Sequence, residues 1–397
     1  MSPMQMLLAA LGHGFNGGTL KFTAGDEAWM LGHGEPVADI KMRDASVLRD
    51  ILMRPSLRFG ETYMEGDWEP GEGGLQRALE VGVKFEEDLE HRLKGHQVRA
   101  LLGQMMEVNN PLASQKNVEH HYNLDAELYR YFLDEGMFYS CAYFERPDMT
   151  LEQAQQAKCA LIARKLNLKP GMRVLDIGCG WGGLAIHLAT HHGVHVTGIT
   201  LSSEQLAVAQ ASIEKLGLTG SIEFRLEDYR KTVGEFDAIV SVGMFEHVGR
   251  PQYRTFFKRV RELLKQDGTA LIHTIGRLTP PGAGNAWIRK YIFPGGYIPA
   301  ASEMTRVVEA SDLLMTDLEI WRLHYAETLA EWNRRFQRTR EHFHDKLGER
   351  FCRMWEFYLV ACESAFRWGG LCVFHLQLTK ELERLPLTRN YLYEDAG

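Results

Sequence analysis

The run VLDIGCGWGG, Val174 to Gly183, constrains the fold more than any other stretch of the chain. An apolar strand passes into a turn carrying Gly178, Gly180, Gly182 and Gly183, and a helical pattern follows. Only backbone without side chains lets a ligand press against such a turn. By itself the turn fits a dinucleotide loop or a tight connection, but its surroundings decide against both. A dinucleotide fold wants a carboxylate at the end of the second strand for the ribose. Here the second strand, HVTGIT, leads into Leu201, Ser202, Ser203, Glu204 and Gln205. Asp228 stands just after the third strand, where a carboxylate can accept an adenine amino group.

The alternation continues on both sides. RVLDIG is followed by a helix near 182–192, HVTGIT by a helix near 203–216, then come IEFRLED, FDAIVSVG, a helix near 251–265 and TALIHTIG. Strands alternating with helices mean an α/β fold with a doubly wound, mostly parallel sheet. A helix at 151–167 precedes this region. Beyond Arg277 the regularity breaks into aromatic-rich helices with one strand-like LEIWRL, and CVFHLQLTK reads as the last strand. There are no internal repeats.

A length of 397 residues predicts two domains. The first ~110 residues read as a smaller α+β module: LKFT, AWML and ADIKM as strands, DASVLRDILMR as a helix with capping oxygens on Asp44 and Ser46, and a charged helix from Leu75 to Met106. Asn109, Asn110 and Pro111 break that pattern, so the expected domains are 1–110 and 111–397.

The net charge of -7 argues against a nucleic-acid partner, since phosphate binding draws on clustered excess Lys and Arg. The six cysteines contain no CxxC pair and read as free thiols of a reducing compartment. No apolar run approaches the ~20 residues that span a bilayer, and the expected location is cytoplasmic.

DIGCGWGG followed by GITLSSEQ resembles the class I methyltransferases and, within them, the cyclopropane-fatty-acid and mycolic-acid cyclopropane synthases. Four further strings resemble that family: FYSCAYF around Cys141, SVGMFEHVG around Glu246, ALIHTIG around His273 and LHYAETLAEW around Tyr325. So does LRFGETYMEGDWE, Leu57 to Glu69. The resemblance implies S-adenosylmethionine as cofactor, with Gly178 and Gly180 backing its methionine part and Thr200, Leu201 and Gln205 on ribose and adenine. Tyr139 and Ser140 resemble the lid over the methionine carboxylate, and Asp176 and Asp228 complete the expected set.

The implied reaction places the sulfonium methyl against the π-face of a cis alkene with water excluded. A base then takes one proton from the delivered methyl as the ring closes. A lysine base would itself trap the methyl, and the resemblance supplies a bound bicarbonate ion instead. His273, Tyr325 and the Ile275 amide are suited to donate to that anion, with Cys141 as a weak donor. Glu246 is suited to accept the bicarbonate hydroxyl, with the Gly243 carbonyl as a second acceptor. The Cys141 thiol is expected near an unperturbed pKa of ~8.5, as a positioning group; a nucleophilic thiol with His273 as base is the alternative.

The expected partners are membrane phospholipids with unsaturated acyl chains, met by peripheral association at the inner membrane face, with a homodimer left open. The aromatic stretch Ile288 to Ala300 has the apolar content to line an acyl tunnel. Arg334, Arg335, Arg338 and Arg340 form a basic cluster tempered by Glu327, Glu331 and Glu341, which favours a solvated helix face over a head-group site. A relative that leaves a methyl or methylene branch is the competing reading.

Overall fold

A computed structural model of the chain describes residues 2–93 and 126–393. Two compact units emerge, one from Met1–Gly103, Gly282–Pro294 and Leu329–Leu371, the other from Gln104–Pro281, Gly295–Thr328 and Cys372–Gly397. The expected boundary near residue 110 lies outside the described residues.

The first unit opens with α1 (Pro3–Leu11) and the strands β1 (Gly18–Ala24), β2 (Glu27–His33) and β3 (Val37–Met42). Helices α2 (Ala45–Met53) and α3 (Pro55–Met64), the short β4 (Trp68–Pro70) and α4 (Gly74–Leu93) follow. The predicted continuation of α4 to Met106 lies outside the described residues. The strands form a four-stranded sheet in the order β2-β1-β3-β4. Asp44 caps α2 by accepting the Ser46 amide at 2.8 Å, which removes one unpaired N–H at the helix start.

Helix Glu349–Trp368, far along the chain, completes this unit. The Arg353 guanidinium donates to the Tyr63 carbonyl at 2.5 Å, the Trp68 carbonyl at 2.9 Å and the Glu69 carboxylate at 2.7 Å. Glu61 accepts from Lys290 at 2.6 Å and Tyr291 at 2.9 Å. Gly60 has to be glycine because a Cβ there would come within 2.6 Å of the Trp287 indole. The arginine cluster is largely paired: Arg334 and Arg335 with Glu331, Arg340 with Glu349.

The second unit runs α5 (Ala126–Phe132), α6 (Leu151–Lys165), β5 (Arg173–Ile177), α7 (Gly183–His192), β6 (His195–Thr200), α8 (Ser203–Leu216), β7 (Ile222–Leu226) and β8 (Phe236–Val242). It continues with α9 (Tyr253–Leu263), β9 (Leu264–Arg277), α10 (Ala301–Glu309), β10 (Leu314–Trp321), the start of α11 (His324–Leu347) and β11 (Leu371–Thr379). Seven strands form one sheet, ordered β10-β11-β9-β8-β5-β6-β7, with parallel pairing from β9 through β7 and an antiparallel β10–β11 edge. The predicted doubly wound α/β sheet is therefore present.

Successive strand residues feed two separate cores, as alternation on a doubly covered sheet requires. Val174, Ala238 and Leu271 join one cluster, while their neighbours Leu175, Ile239 and Ile272 join the other. Phe256 and Phe257, both fully buried, anchor the second cluster; a buried phenylalanine contributes about 1.5–3 kcal/mol. Strand order reverses at β5, which has β6 on one side and β8 on the other. The crevice beyond the carboxyl ends at such a switch point is where an open α/β sheet binds ligands.

Candidate active site

At that switch point lies a cavity of about 1190 Å³, its open mouth included. All nine residues expected to hold a cofactor line it: Tyr139, Ser140, Asp176, Gly178, Gly180, Thr200, Leu201, Gln205 and Asp228. Gly178, at φ +83°, takes a left-handed turn that swings the chain out of β5. At Gly180 a Cβ would meet no protein atom within 4 Å. Asp176 Oδ2 and Glu227 Oε1, both on residues lining the cavity, are buried without hydrogen-bond partners. Unpaired buried oxygens beside a bare glycine turn suit a ligand that brings an ammonium and hydroxyl donors, which S-adenosylmethionine does.

Local capping positions the adenosyl side. Ser202 caps α8 through the Gln205 amide at 3.2 Å, and the Thr200 hydroxyl donates to Gln205 Oε1 at 2.8 Å. The Gln205 amide group thus keeps its NH₂ for other use. Asp228 is held by Arg230, whose Nε and Nη2 donate to its two oxygens at 2.9 and 2.6 Å. Burial works against the Asp228 charge, but the Arg230 hydrogen bonds outweigh it and keep its pKa below the usual value. An adenine amino group would therefore share a carboxylate already engaged, whereas Glu227 beside it has an oxygen to spare.

On the opposite wall is a residue the sequence reading missed. Lys158 of α6 is fully buried, lines the cavity, and donates to Ser140 Oγ at 2.9 Å and Gln155 Oε1 at 2.5 Å. Burial lowers its pKa, opposed by the nearby Asp134 and Asp176 among other groups. Burial also pushes Asp176 up to about 7, with Lys158 pulling the other way. Its sequence signal was available: on α6, a lysine falls two turns after Leu151, one turn after Ala154 and one turn before Ile162, on an apolar stripe.

The four strings expected to carry the chemistry meet near the carboxyl ends of β8 and β9. The Gly243 amide donates to the His273 carbonyl at 2.9 Å, and Gly243 lies against Ser140, the neighbour of Cys141. Glu246, on a one-turn 3-10 helix, is 8% exposed and accepts the Ile275 amide at 2.6 Å on Oε1. Its Oε2 is buried without a partner. Burial lifts the carboxyl to about 7 against the pull of the Ile275 N–H. His273 is buried on β9 and meets His375 Nε2 through Nδ1 at 2.7 Å. Tyr325 opens α11, next to His324, whose Nδ1 accepts the Phe144 amide at 3.1 Å.

Two sequence expectations change here. The Ile275 N–H, expected on the anion, is spent on Glu246, because β9 brings that amide within 2.6 Å of the carboxylate. The Cys141 thiol does not sit near its unperturbed pKa: complete burial pushes it far up. It donates to the Ala142 carbonyl at 3.3 Å, while the Ala142 amide donates to Thr328 at 3.0 Å. A protonated, inward-facing thiol disfavours the nucleophile alternative.

A doubly wound sheet with a glycine turn and a ligand cavity at its switch point has the architecture of class I methyltransferases. Residues 110–376 match the family described as mycolic acid cyclopropane synthetase. The chain is 38% identical over 351 residues to the cyclopropane-fatty-acyl-phospholipid synthase of Escherichia coli strain K12, covering 88% of this chain and 90% of that protein. It is 38% identical over 288 residues to a probable fatty acid methyltransferase of Pseudomonas putida, covering 70% and 73%. Among solved structures it resembles the mycolic acid cyclopropane synthase CmaA1 complexed with SAH and CTAB, at 34% identity and TM-score 0.64, covering 68% of this chain and 99% of that one. The chain belongs to the mycolic acid cyclopropane synthetase family and is an S-adenosylmethionine-dependent methyltransferase of the cyclopropane fatty acid synthase type.

Proposed function

We propose that this enzyme transfers the methyl carbon of S-adenosylmethionine to the cis double bond of unsaturated acyl chains in membrane phospholipids and closes a cyclopropane ring with the help of bicarbonate. The observation that carries the reading is Glu246: a buried carboxylate with one oxygen unpaired and the other fixed by the amide of Ile275, which stands two strand positions from His273.

Bound in the cavity, S-adenosylmethionine supplies an electrophilic methyl on sulfur, and bicarbonate supplies a weakly nucleophilic oxygen base. The chain's own residues hold and exclude. Gly178 and Gly180 leave room for the methionine part, Asp176 takes its ammonium, and Thr200, Leu201, Gln205, Glu227 and Asp228 meet the adenosyl part. Tyr139 and Ser140, tied down by Lys158, close over the carboxylate. Glu246 accepts the bicarbonate hydroxyl on Oε2, His273 and Tyr325 donate to its other oxygens, Gly243 offers a carbonyl, and Cys141 shapes the wall as a neutral thiol. Ile275 acts through Glu246. Transfer of that methyl to the alkene would return the C–S pair to sulfur, and the base held by Glu246, His273 and Tyr325 would take the proton whose C–H pair closes the ring.

Phospholipid as substrate rests on the likeness to the Escherichia coli enzyme and on the presence of the N-terminal module, residues 1–110 in the sequence division, which we assign to lipid association. No helix among the described residues is long and apolar enough to cross a membrane, so contact at the inner membrane face would be peripheral.

Mass spectrometry of lipids from expressing cells tests this. Acyl chains heavier by ~14 Da, one CH₂, whose rings open under cyclopropane-cleaving hydrogenation support it. The same mass gain without ring opening means a branched product, and no gain overturns the reaction.

A further inference from the structure

His273 and His375 face each other as a buried pair of imidazoles. Nδ1 of His273 is 2.7 Å from Nε2 of His375, and the ring centroids are 4.7 Å apart. Both residues are at most 1% exposed. Burial drives both pKa values well below the ordinary histidine value, so each ring is neutral and carries one N–H. The short contact therefore has two readings. Either His375 Nε2–H donates to a bare His273 Nδ1, or His273 Nδ1–H donates to a bare His375 Nε2.

The surroundings of His375 separate them. Its other nitrogen, Nδ1, is buried with no hydrogen-bond partner. The ring packed against it is Trp321, centroids 3.9 Å apart and planes 30° apart, which offers no lone-pair acceptor. In the second reading His375 must hold its proton on Nδ1 as a buried donor without an acceptor, the rarer kind of orphan. In the first reading that nitrogen is bare, and both rings take the Nε2–H form. The consequence falls on His273 Nε2, the nitrogen that His375 does not engage and therefore the atom left for a ligand.

We propose that His375 is a positioning residue that fixes the tautomer of His273: its Nε2–H donates to His273 Nδ1, so that His273 presents Nε2–H to an anion. This rests on the reaction proposed above only for what the donor serves, and the tautomer stands by itself. A bare Nε2 would be an acceptor facing an anion's lone pairs, and the site would repel the ion it has to orient. His375 lies on β11, about a hundred residues from His273 in sequence, so nothing local in either string announces the pair.

The test uses the full-length protein with ¹⁵N-labelled histidine. Long-range ¹H–¹⁵N correlation distinguishes a protonated from a bare ring nitrogen, and the His273→Asn variant identifies the His273 peaks. The expected result is Nε2–H on His273 in the wild type, with that proton shifting on addition of sodium bicarbonate. Nδ1–H on His273 overturns the proposal.

Turnover supplies the second arm. His375→Gln keeps an N–H donor at similar reach and should hold turnover within a few-fold, whereas His375→Leu should lose about ten- to a hundredfold with the S-adenosylmethionine KM nearly unchanged. Equal turnover of the Leu variant and the wild type overturns the positioning role. If His375→Leu fails to fold, the wild-type spectrum and His375→Gln still decide. A wild type that makes no ring product sinks the reaction and leaves the tautomer to the spectrum.

Discussion

The buried ammonium of Lys158 donates to the Ser140 hydroxyl at 2.9 Å, so a residue of α6 fixes the segment that carries Tyr139 and Cys141. Lys158→Met removes that donor and leaves the hydroxyl in place. The S-adenosylmethionine KM should rise by roughly fivefold to tenfold, as expected for one lost hydrogen bond of about 1 kcal/mol, with a smaller change in kcat. Steady-state kinetics checks this, and an unchanged KM with a reduced kcat would instead place Lys158 near the reacting carbons.

Glu246 and Gln205 should divide the reaction between them. Glu246→Gln presents an NH₂ where the bicarbonate hydroxyl needs an acceptor, and a misplaced hydrogen bond to a charged group costs ~1.5–3 kcal/mol. Turnover should fall by roughly one to two decades while calorimetric cofactor affinity stays near normal. Gln205→Ala should chiefly raise the cofactor KM, through the lost contact beside Thr200. Parallel losses of affinity and rate in Glu246→Gln would move that residue into the cofactor pocket.

The pH profile follows from the raised pKa of the same carboxylate. Glu246 is lifted from 4.5 to about 7, and only its ionised form accepts the hydroxyl proton. Turnover at saturating cofactor should climb as pH rises through about 7 and then level off, and Glu246→Gln should lack that limb. For stability the sign is reversed. The folded state holds the proton more tightly than the unfolded chain, so stability from this group falls as pH rises from about 4.5 to about 7. Asp176 is lifted to the same region, and its titration should appear in kcat/KM for the cofactor.

Bicarbonate can be withdrawn without mutation. Activity should fall in decarbonated buffer and return on adding bicarbonate, measured by methyl transfer from labelled S-adenosylmethionine. Full activity after verified depletion of free and bound ion removes that part of the mechanism.

The two cavity glycines should respond differently. A Cβ on Gly178 would come within 2.7 Å of Met244 in a left-handed backbone, so Gly178→Ala should lose stability as well as cofactor affinity. At Gly180 the Cβ position is open although φ is +55°, so Gly180→Ala should cost stability only through the left-handed backbone, without a clash, while losing affinity. Thermal melts with calorimetry separate the two cases.

Much of the second unit was legible because its signals are local. The predicted strand HVTGIT and helix 203–216 coincide with β6 and α8, since an alternating apolar run ends at a Ser202 cap. Two of the cavity's features were also readable locally: Arg230 stands two residues from Asp228, and Lys158 breaks an apolar stripe. His375 and the Ile275–Glu246 bond were not legible, because strand register and sheet order decide which distant residues meet. The pKa of Cys141 was misjudged for a related reason, since burial is a property of the assembled core.

Arg353 satisfies the Tyr63 and Trp68 carbonyls from 290 and 285 positions downstream. On a ribosome adding ~5–20 residues per second, the Arg353 guanidinium follows those carbonyls by on the order of 15–60 s. A nascent chain therefore holds the end of α3 and β4 without the arginine that ties them together while the methyltransferase sheet is still being translated. Chaperone occupancy during synthesis should concentrate there, and a stop codon placed before Glu349 should send both halves to proteolysis even though every cofactor-binding residue has already been made.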